Sequence, residues 1–180
     1  MSLDAVETRA AQALQYGGGA VLCRSLGNNP SATPVLTVAG TYGAGDYVGT
    51  SGTAMVFNKC ANENGGGGIL YGGMLLDLNS QTTAQLELWV FNAAVTPPAD
   101  NAAWALSAAD LASWVATIPL NNSYYACGTV GAVTAGTLVS PRAFKCAAGS
   151  KALYGCMVER VAGAVFTSLA LTPALSIAED

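Results

Sequence analysis

The sequence contains no histidine. Histidine is the usual base of Ser-His-Asp and Cys-His enzymes, a common metal ligand and the side chain that titrates near neutral pH. Its absence excludes those two forms of catalysis, histidine metal sites and the ordinary pH switch. We therefore predict a protein that is not an enzyme and that needs no cofactor or metal.

Charged residues are also scarce. They make up 10% of the 180 residues, against about 25% in an average globular protein, and the net charge is −4. Because neutralising phosphates needs several cations on one face, seven Lys and Arg residues argue against nucleic acid as a partner. Apolar residues reach 52%. Such a chain exposes wide neutral areas, which usually mark contacts with partners, so we expect it to work inside an assembly.

Targeting and membrane signals are missing as well. The first ten residues carry Asp4, Glu7 and Arg9 and no apolar run of secretory length. The apolar stretch 163–178 is interrupted by Pro173 and is shorter than the ~20 residues that a bilayer requires. These patterns predict a protein made in the cytoplasm, without membrane contact.

The five cysteines form no C-x-x-C pair, and without histidine they complete no common zinc set. One interpretation is that they are reduced, buried thiols. The other is that some form disulfides on a particle in oxidising surroundings, where an odd number leaves one for a neighbouring subunit. The candidates are Cys23, Cys60, Cys127, Cys146 and Cys156.

The first 34 residues differ in pattern from the rest. Residues 1–17 favour a helix that ends at three glycines, and residues 20–34 are rich in Gly, Asn, Pro and Ser. The later part carries Val21, Leu22 and Leu26 as isolated apolar side chains. We predict that residues 1–34 form an N-terminal arm, helical at first and then extended. Such an arm is either flexible or laid across another subunit, and the isolated apolar side chains favour the second.

From residue 35 to residue 180 the pattern predicts a single β-sandwich domain. Short apolar runs with period-two alternation lie between turn signals, which is typical of an all-β sandwich or barrel. We expect an all-β, jelly-roll-like sandwich of about eight strands in two four-stranded sheets. The predicted strands are 35–39, 54–58, 69–78, 85–91, 117–120, 138–144, 152–159 and 165–171.

The strand 85–91 has the clearest alternation. Its residues Glu87, Trp89 and Phe91 share one face, which we expect the segment just downstream to cover. In that segment, Ser107 and Asp110 have the spacing of a helix cap. They predict one short helix at about 108–116, whose Trp114 plugs one end of the sandwich.

Basic residues are distributed unevenly. None occurs from residue 60 to residue 141, and then four follow within 19 residues: Arg142, Lys145, Lys151 and Arg160. They are either solvated charges on loops or part of a surface complementary to a neighbouring subunit or a shell. We take these four, with Val21, Leu22 and Leu26, as the candidate interface residues.

Motifs for chemistry are weak. Two carboxylates suffice for a glycosidase, and the chain offers Asp46, Asp77, Glu87, Asp100 and Asp110, three of which have ordinary roles in a turn, beside prolines and in a helix cap. The glycine-rich stretches 43–49 and 65–68 match neither a dinucleotide fingerprint nor a P-loop. Aromatic residues could form a sugar-binding platform or simply pack in the core: Trp89, Trp104, Trp114, Tyr124 and Tyr125.

Several short motifs follow one another between residues 35 and 172. They are Tyr42-x-x-x-Asp46-x-Val48-Gly49, a Gly-rich loop, Leu86-x-Leu88-Trp89-x-Phe91-Asn92, the run from Thr96 to Ser107, Ile118-Pro119-Leu120 and Leu153-Tyr154-Gly155. In this order the sequence resembles the small jelly-roll decoration, or cement, proteins of tailed-bacteriophage capsids.

The resemblance implies a structural virion protein. Such proteins are homotrimers on the capsid exterior, where they bind several subunits of the major capsid protein and stabilise the expanded shell. The alternative is a glycan-binding fibre or adhesin module on the virion surface, and a hydrolase is a third hypothesis.

Overall fold

The structure, a computed structural model, describes residues 30–36, 40–78, 85–121, 125–126, 132–166 and 171–179. This part of the chain is all-β with one short helix, α1 (Ala108–Leu111), which confirms the predicted class. The strands are β1 (Tyr47–Val48), β2 (Met55–Phe57), β3 (Gly67–Asp77), β4 (Gln85–Phe91), β5 (Trp114–Asn121), β6 (Tyr125–Ala126), β7 (Ala132–Lys145), β8 (Leu153–Glu159) and β9 (Leu171–Glu179).

The strands form two antiparallel sheets. The first has the order β1-β8-β4-β5, and β2 pairs with β8 next to β1, so this sheet has five strands rather than the predicted four. The second has the order β6-β7-β3-β9. In the second sheet β7 pairs with β3. In the first sheet β8 lies between β2 and β4. This nested order is compatible with a jelly roll, which stays a prediction.

The main core lies between the sheets. In β4, the alternation places Leu86, Leu88 and Val90 inward, where all three are fully buried. They pack with inward residues from the other strands: Leu70, Leu75, Ile118, Leu120, Phe144, Leu153, Met157, Leu171, Leu175 and Ile177. Burial of these side chains supplies the main stabilisation of the fold.

A second core covers the outer face of the first sheet. Phe91 is buried there with Tyr47, Val95 and Cys156, and Trp104 packs against them. The segment that covers this face contains Val95 and Trp104 and is hydrogen-bonded to the chain before β1. Asp46 forms a β-bridge with Ala103, and the Trp104 N–H donates to the Gly45 carbonyl. The prediction that the downstream segment covers this face is confirmed.

Several predicted boundaries are wrong. The helix ends at Leu111 rather than near residue 116, because Trp114 already pairs with Phe91 in the β4–β5 ladder. Trp114 is 44% exposed and plugs nothing. The last strand covers 171–179 instead of 165–171, where Val165 forms only one bridge. Residues 35–36 form no strand, and 37–39 lie outside the described residues.

Candidate interaction surfaces

The outer face of the second sheet exposes a line of large apolar side chains along β3. Each is between 37% and 53% exposed. The pairing register shifts between Leu70 and Gly72, which moves the outward positions from odd to even numbers, so the line continues past the irregularity. We call these five residues the apolar stripe: Ile69, Tyr71, Met74, Leu76 and Leu78.

Small side chains flank the apolar stripe. Ile69 stands between Ala143 of β7 and Ala178 of β9, while Ala174 and Thr172 stand opposite Met74 and Leu76 on β9. Residues paired in register share a face of the sheet, so the large side chains project above low, uncharged neighbours. Contiguous exposed apolar areas of this kind mark binding surfaces. The sequence did not predict this exposure, because β3 is apolar on both of its faces.

A second exposed apolar surface lies where the margins of the two sheets meet. Residues 138–141 of β7 bulge opposite the single residue Tyr71 of β3. Pro141 contributes to this irregularity, since it has no N–H for the ladder. The bulge leaves Val139 fully exposed.

Between the bulge and β5 is a groove of about 360 Å³, which we call the edge groove. Its lining includes Trp114 and Pro119 from β5, and Val139 and Arg142 from β7. The Trp114 indole is held by its N–H, which donates to Thr117 Oγ1 at 3.1 Å. The edge groove therefore offers a flat aromatic wall, an aliphatic rim and one guanidinium.

The predicted basic residues occupy different places. Arg142 lines the edge groove, and Lys145 is exposed at the end of the same strand. Lys151 precedes β8, where its Nζ donates to the Asn62 carbonyl at 2.6 Å, whereas Arg160 follows β8 at the opposite end of that strand. Arg160 forms an ion pair with Glu87. The structure thus places Arg142 and Lys145 on opposite faces of β7 and separates Arg160 from Lys151, so these four residues form no single basic surface.

The predicted arm residues Val21, Leu22 and Leu26 lie outside the described residues, as do Cys23 and Cys127. The other three cysteines are free and buried, and burial raises the pKa of Cys60 and Cys156 to about 12 and also raises that of Cys146. The burial of these three thiols favours the interpretation that they are reduced, and the disulfide between subunits stays a prediction.

The predicted acidic residues have structural partners. The Asp46 carboxylate accepts the Gly43 N–H at 2.7 Å, and that of Asp110 accepts the Ser107 hydroxyl at 2.7 Å. Asp100 Oδ1 accepts the Tyr42 hydroxyl at 2.8 Å in the protein interior. Burial, with this hydrogen bond, raises the pKa of Tyr42, so the phenol keeps its proton. These bonds fasten turns and the covering segment to the sandwich.

One buried carboxylate, Glu159, was not predicted. Its Oε1 accepts the backbone N–H groups of Gln85, Arg160 and Val161, at 2.9 to 3.0 Å. Its Oε2 is buried and has no hydrogen-bond partner among the described residues. Burial raises the pKa of Glu159, and the three backbone bonds oppose that shift in part. No local sequence signal marks it, because Gln85 is 74 positions away.

The aromatic candidates do not converge on one platform. Trp104 stacks on Tyr47 with ring centroids 5.7 Å apart and meets Trp89 edge-on at 5.6 Å, so these rings pack in the second core. Trp114 lines the edge groove instead. Tyr124 and the side chain of Tyr125 are not described.

Comparisons with protein-family models, with curated proteins and with solved structures find no match to this chain. Within the described residues, no helix has the length and apolar character to cross a membrane. In the same part of the chain, no three Cys, Asp or Glu side chains group as a metal site would require. The two apolar surfaces are therefore the strongest candidates for a functional site in the described part of the chain.

Proposed function

We propose that this chain is a structural virion protein that binds the outer surface of a phage capsid and stabilises the expanded shell by bridging major capsid protein subunits. The observation that carries the proposal is the presence of two separate exposed apolar surfaces, the apolar stripe on a sheet face and the edge groove at a sheet margin. A bridging oligomer needs two such surfaces, one that joins its copies to one another and one that each copy presents to a shell subunit.

The energetics suit reversible binding at many identical sites. Removing apolar surface from water contributes about 25 cal/mol per Å², so burying a few large side chains gives a modest contact. An oligomer that engages several shell subunits at once multiplies modest contacts through effective concentration. A ligand that binds only the expanded lattice then stabilises that lattice by its binding free energy.

Charge adds orientation rather than strength. Arg142 lies in the edge groove and Lys145 on the same strand, while the β9 residues paired with Ile69, Met74 and Leu76 are small and uncharged. A few charges around an apolar contact favour one orientation of the partner. The jelly-roll decoration proteins that the sequence resembles place a rigid sandwich on a shell in this manner, as homotrimers on the virion exterior.

The test is binding to phage heads that lack this protein. We expect purified protein to co-sediment with expanded heads and not with unexpanded ones. Val139→Lys places a charge in the edge groove, where its desolvation should lower the affinity for expanded heads about tenfold. Val56→Lys is the matched control, because it adds the same charge at a position on β2 of the other sheet where Val56 is 39% exposed. Equal binding to both kinds of head, or to neither, would contradict the proposal.

A glycan-binding module on the virion surface is the second candidate. It is favoured by one observation on the outer face of the first sheet, where the half-buried Trp89 donates its indole N–H to Glu87, which is paired with Arg160. Rings beside a charged pair are common in sugar sites. A saturable hit on a glycan array that Glu87→Gln abolishes without unfolding the protein would favour this function, and a blank array would remove it.

A further inference from the structure

The N-terminal part of the chain begins beside the apolar stripe. Ser31 bridges Ala174 of β9, the Pro30 carbonyl accepts the Leu175 N–H at 3.0 Å, and the Ala32 N–H donates to the Pro173 carbonyl at 3.1 Å. The strand β9 is the direct neighbour of β3. Residues 1–29 are therefore attached to the outer edge of the sheet that carries the stripe.

We propose that residues 1–29 of one copy lie on the apolar stripe of a second copy. This inference deepens the proposed function, on which it rests, by naming what joins one copy to the next. It commits the stripe to a self-contact and leaves the edge groove for the shell.

The direction of the chain favours a second copy over the same one. Residues 30–32 run antiparallel to β9, so the chain before Pro30 is directed toward the Glu179 end of that strand. That end lies beside Gly68, at the start of β3. The chain is thus directed away from Met74 and Leu76, and it would have to turn back across β9 to cover them in its own copy. A neighbouring copy requires no such reversal.

The chemistry of residues 1–29 matches an uncharged sheet face. Two acidic and two basic residues give this segment no net charge, and its apolar residues fall at helical spacing and then as isolated side chains: Val6, Ala10, Ala13, Leu14, Val21, Leu22 and Leu26. An amphipathic helix of about 14 residues spans roughly 21 Å. The stripe from Ile69 to Leu78 extends for roughly 30 Å. The remaining residues, at up to ~3.5 Å each, suffice to reach a neighbour.

The stoichiometry of the proposed contact favours a closed oligomer. Each copy supplies one segment and one stripe, so all of them are used only in a closed assembly, either a dimer that exchanges segments or a ring in which each segment passes to the next copy. The homotrimer that the resemblance implies is such a ring, and it uses every segment and every stripe. A monomer satisfies none, and it leaves five large apolar side chains in water.

Cysteine cross-linking on the full-length chain tests the contact, because Cys23 lies within the segment. Met74→Cys, Leu76→Cys and Leu78→Cys each place a thiol on the stripe, and mild oxidation with diamide joins thiols that meet. We expect at least one variant to give a reducible dimer on denaturing gels, and we expect Cys23→Ser in the same variant to remove it. Val56→Cys, on the other sheet at an exposure close to that of Leu76, should give no such band.

The other outcomes overturn the inference. A fast-migrating cross-linked monomer would place the segment on its own stripe. A dimer that persists with Cys23→Ser and is lost with Cys127→Ser would place Cys127 on the stripe instead, and one that persists without either cysteine would indicate two stripes packed face to face. Absence of a cross-link in all three variants, with circular dichroism unchanged, would leave the stripe to another partner. Head binding is scored separately: failure to bind expanded heads by a chain that cross-links removes the proposed function and keeps the self-contact.

Discussion

Gly136 occupies the point where β7 meets β5 most closely. A Cβ at this position would lie 2.1 Å from the Pro119 carbonyl oxygen and 2.9 Å from Ile118 Cγ2. The first of these atoms belongs to the backbone, so it cannot move aside by changing a rotamer. The close packing of β7 against β5 beside the edge groove therefore requires glycine at position 136.

We expect Gly136→Ala to lower the free energy of unfolding by about 3 kcal/mol, because the overpacked sheets must separate. The measurement is the midpoint of urea unfolding. Gly40→Ala is the control, since a Cβ there meets only Asn101 Nδ2 at 3.8 Å, an ordinary contact. Equal midpoints for the two variants would show that β5 and β7 are further apart than described.

Glu159 makes stability depend on pH. Because burial raises its pKa in the folded state, the folded chain holds this proton more tightly than the unfolded chain does. Its contribution is therefore fully present below the ordinary carboxyl pKa of about 4.3 and is lost as pH rises through the higher folded value.

We expect Glu159→Gln to remove this loss of stability on raising the pH, while keeping an oxygen to accept the three backbone N–H groups. Urea midpoints measured at intervals from pH 4 to pH 7 would follow it. Glu63→Gln, which removes an exposed carboxylate and changes the net charge equally, is the comparison. If Glu63→Gln flattened the profile as much as Glu159→Gln, the dependence would belong to overall charge.

Some residue roles were predictable and others were not. Asp46 and Asp110 bond groups three positions away, so the turn and cap signals in the sequence suffice for them. Tyr42 and Asp100 are 58 positions apart and meet only in the folded chain. Glu159 is harder still, since its partners include the backbone of a strand in a distant part of the sequence.

The tryptophans before and after α1 have opposite roles. Trp104 packs between Tyr47 and Trp89 and holds the covering segment on the first sheet. Trp114 begins β5 and lines the edge groove.

We expect Trp104→Ala to destabilise the fold by about 3 kcal/mol, through loss of the packed ring. Trp114→Ala should change stability by only about 0.5 kcal/mol, as is usual for surface positions, while it weakens binding to expanded heads. Thermal unfolding and head co-sedimentation on the two variants measure both effects. The reverse ranking in stability would mean that the covering segment contributes little to the fold.

A strand was easier to predict when its two faces are buried to different degrees. The strand β4 has the predicted bounds, 85–91, because one face packs in the main core and the other is only partly covered, which produces a clear alternation of apolar residues. The strand β3 was found, yet its apolar residues on both faces gave no sign of which face is exposed. The bulge in β7 had one signal, a proline inside a predicted strand, and the two-residue strands β1 and β6 had none.

At the scale of the whole molecule, the described fold begins at Pro30, which is buried and bonded to β9. In the proposed self-contact residues 1–29 join the copies, whereas Leu36 belongs to the main core. Residues 30–32, at the end of the predicted arm, are thus bonded to the sandwich, and the boundary at residue 35 stays a prediction.

Deleting residues 1–29 should leave the melting temperature within a few degrees of that of the full chain and reduce the oligomer to monomer. Deleting residues 1–36 should instead destabilise the sandwich by about 3 kcal/mol, since it removes Leu36 and the bonds to β9. Light scattering gives the mass, and thermal unfolding gives the stability. A 1–29 deletion that stays oligomeric would show that the sandwiches associate without this segment.

The position of Pro119 has a consequence for particles that carry many copies at high density. The strand β5 is the outer strand of its sheet in the described chain, and Pro119 lies within it opposite Glu87. A strand of another molecule that paired with this edge of the sheet would meet no backbone N–H at Pro119. If many copies stand side by side on a shell, as we propose, Pro119 therefore protects them against strand-to-strand aggregation through β5.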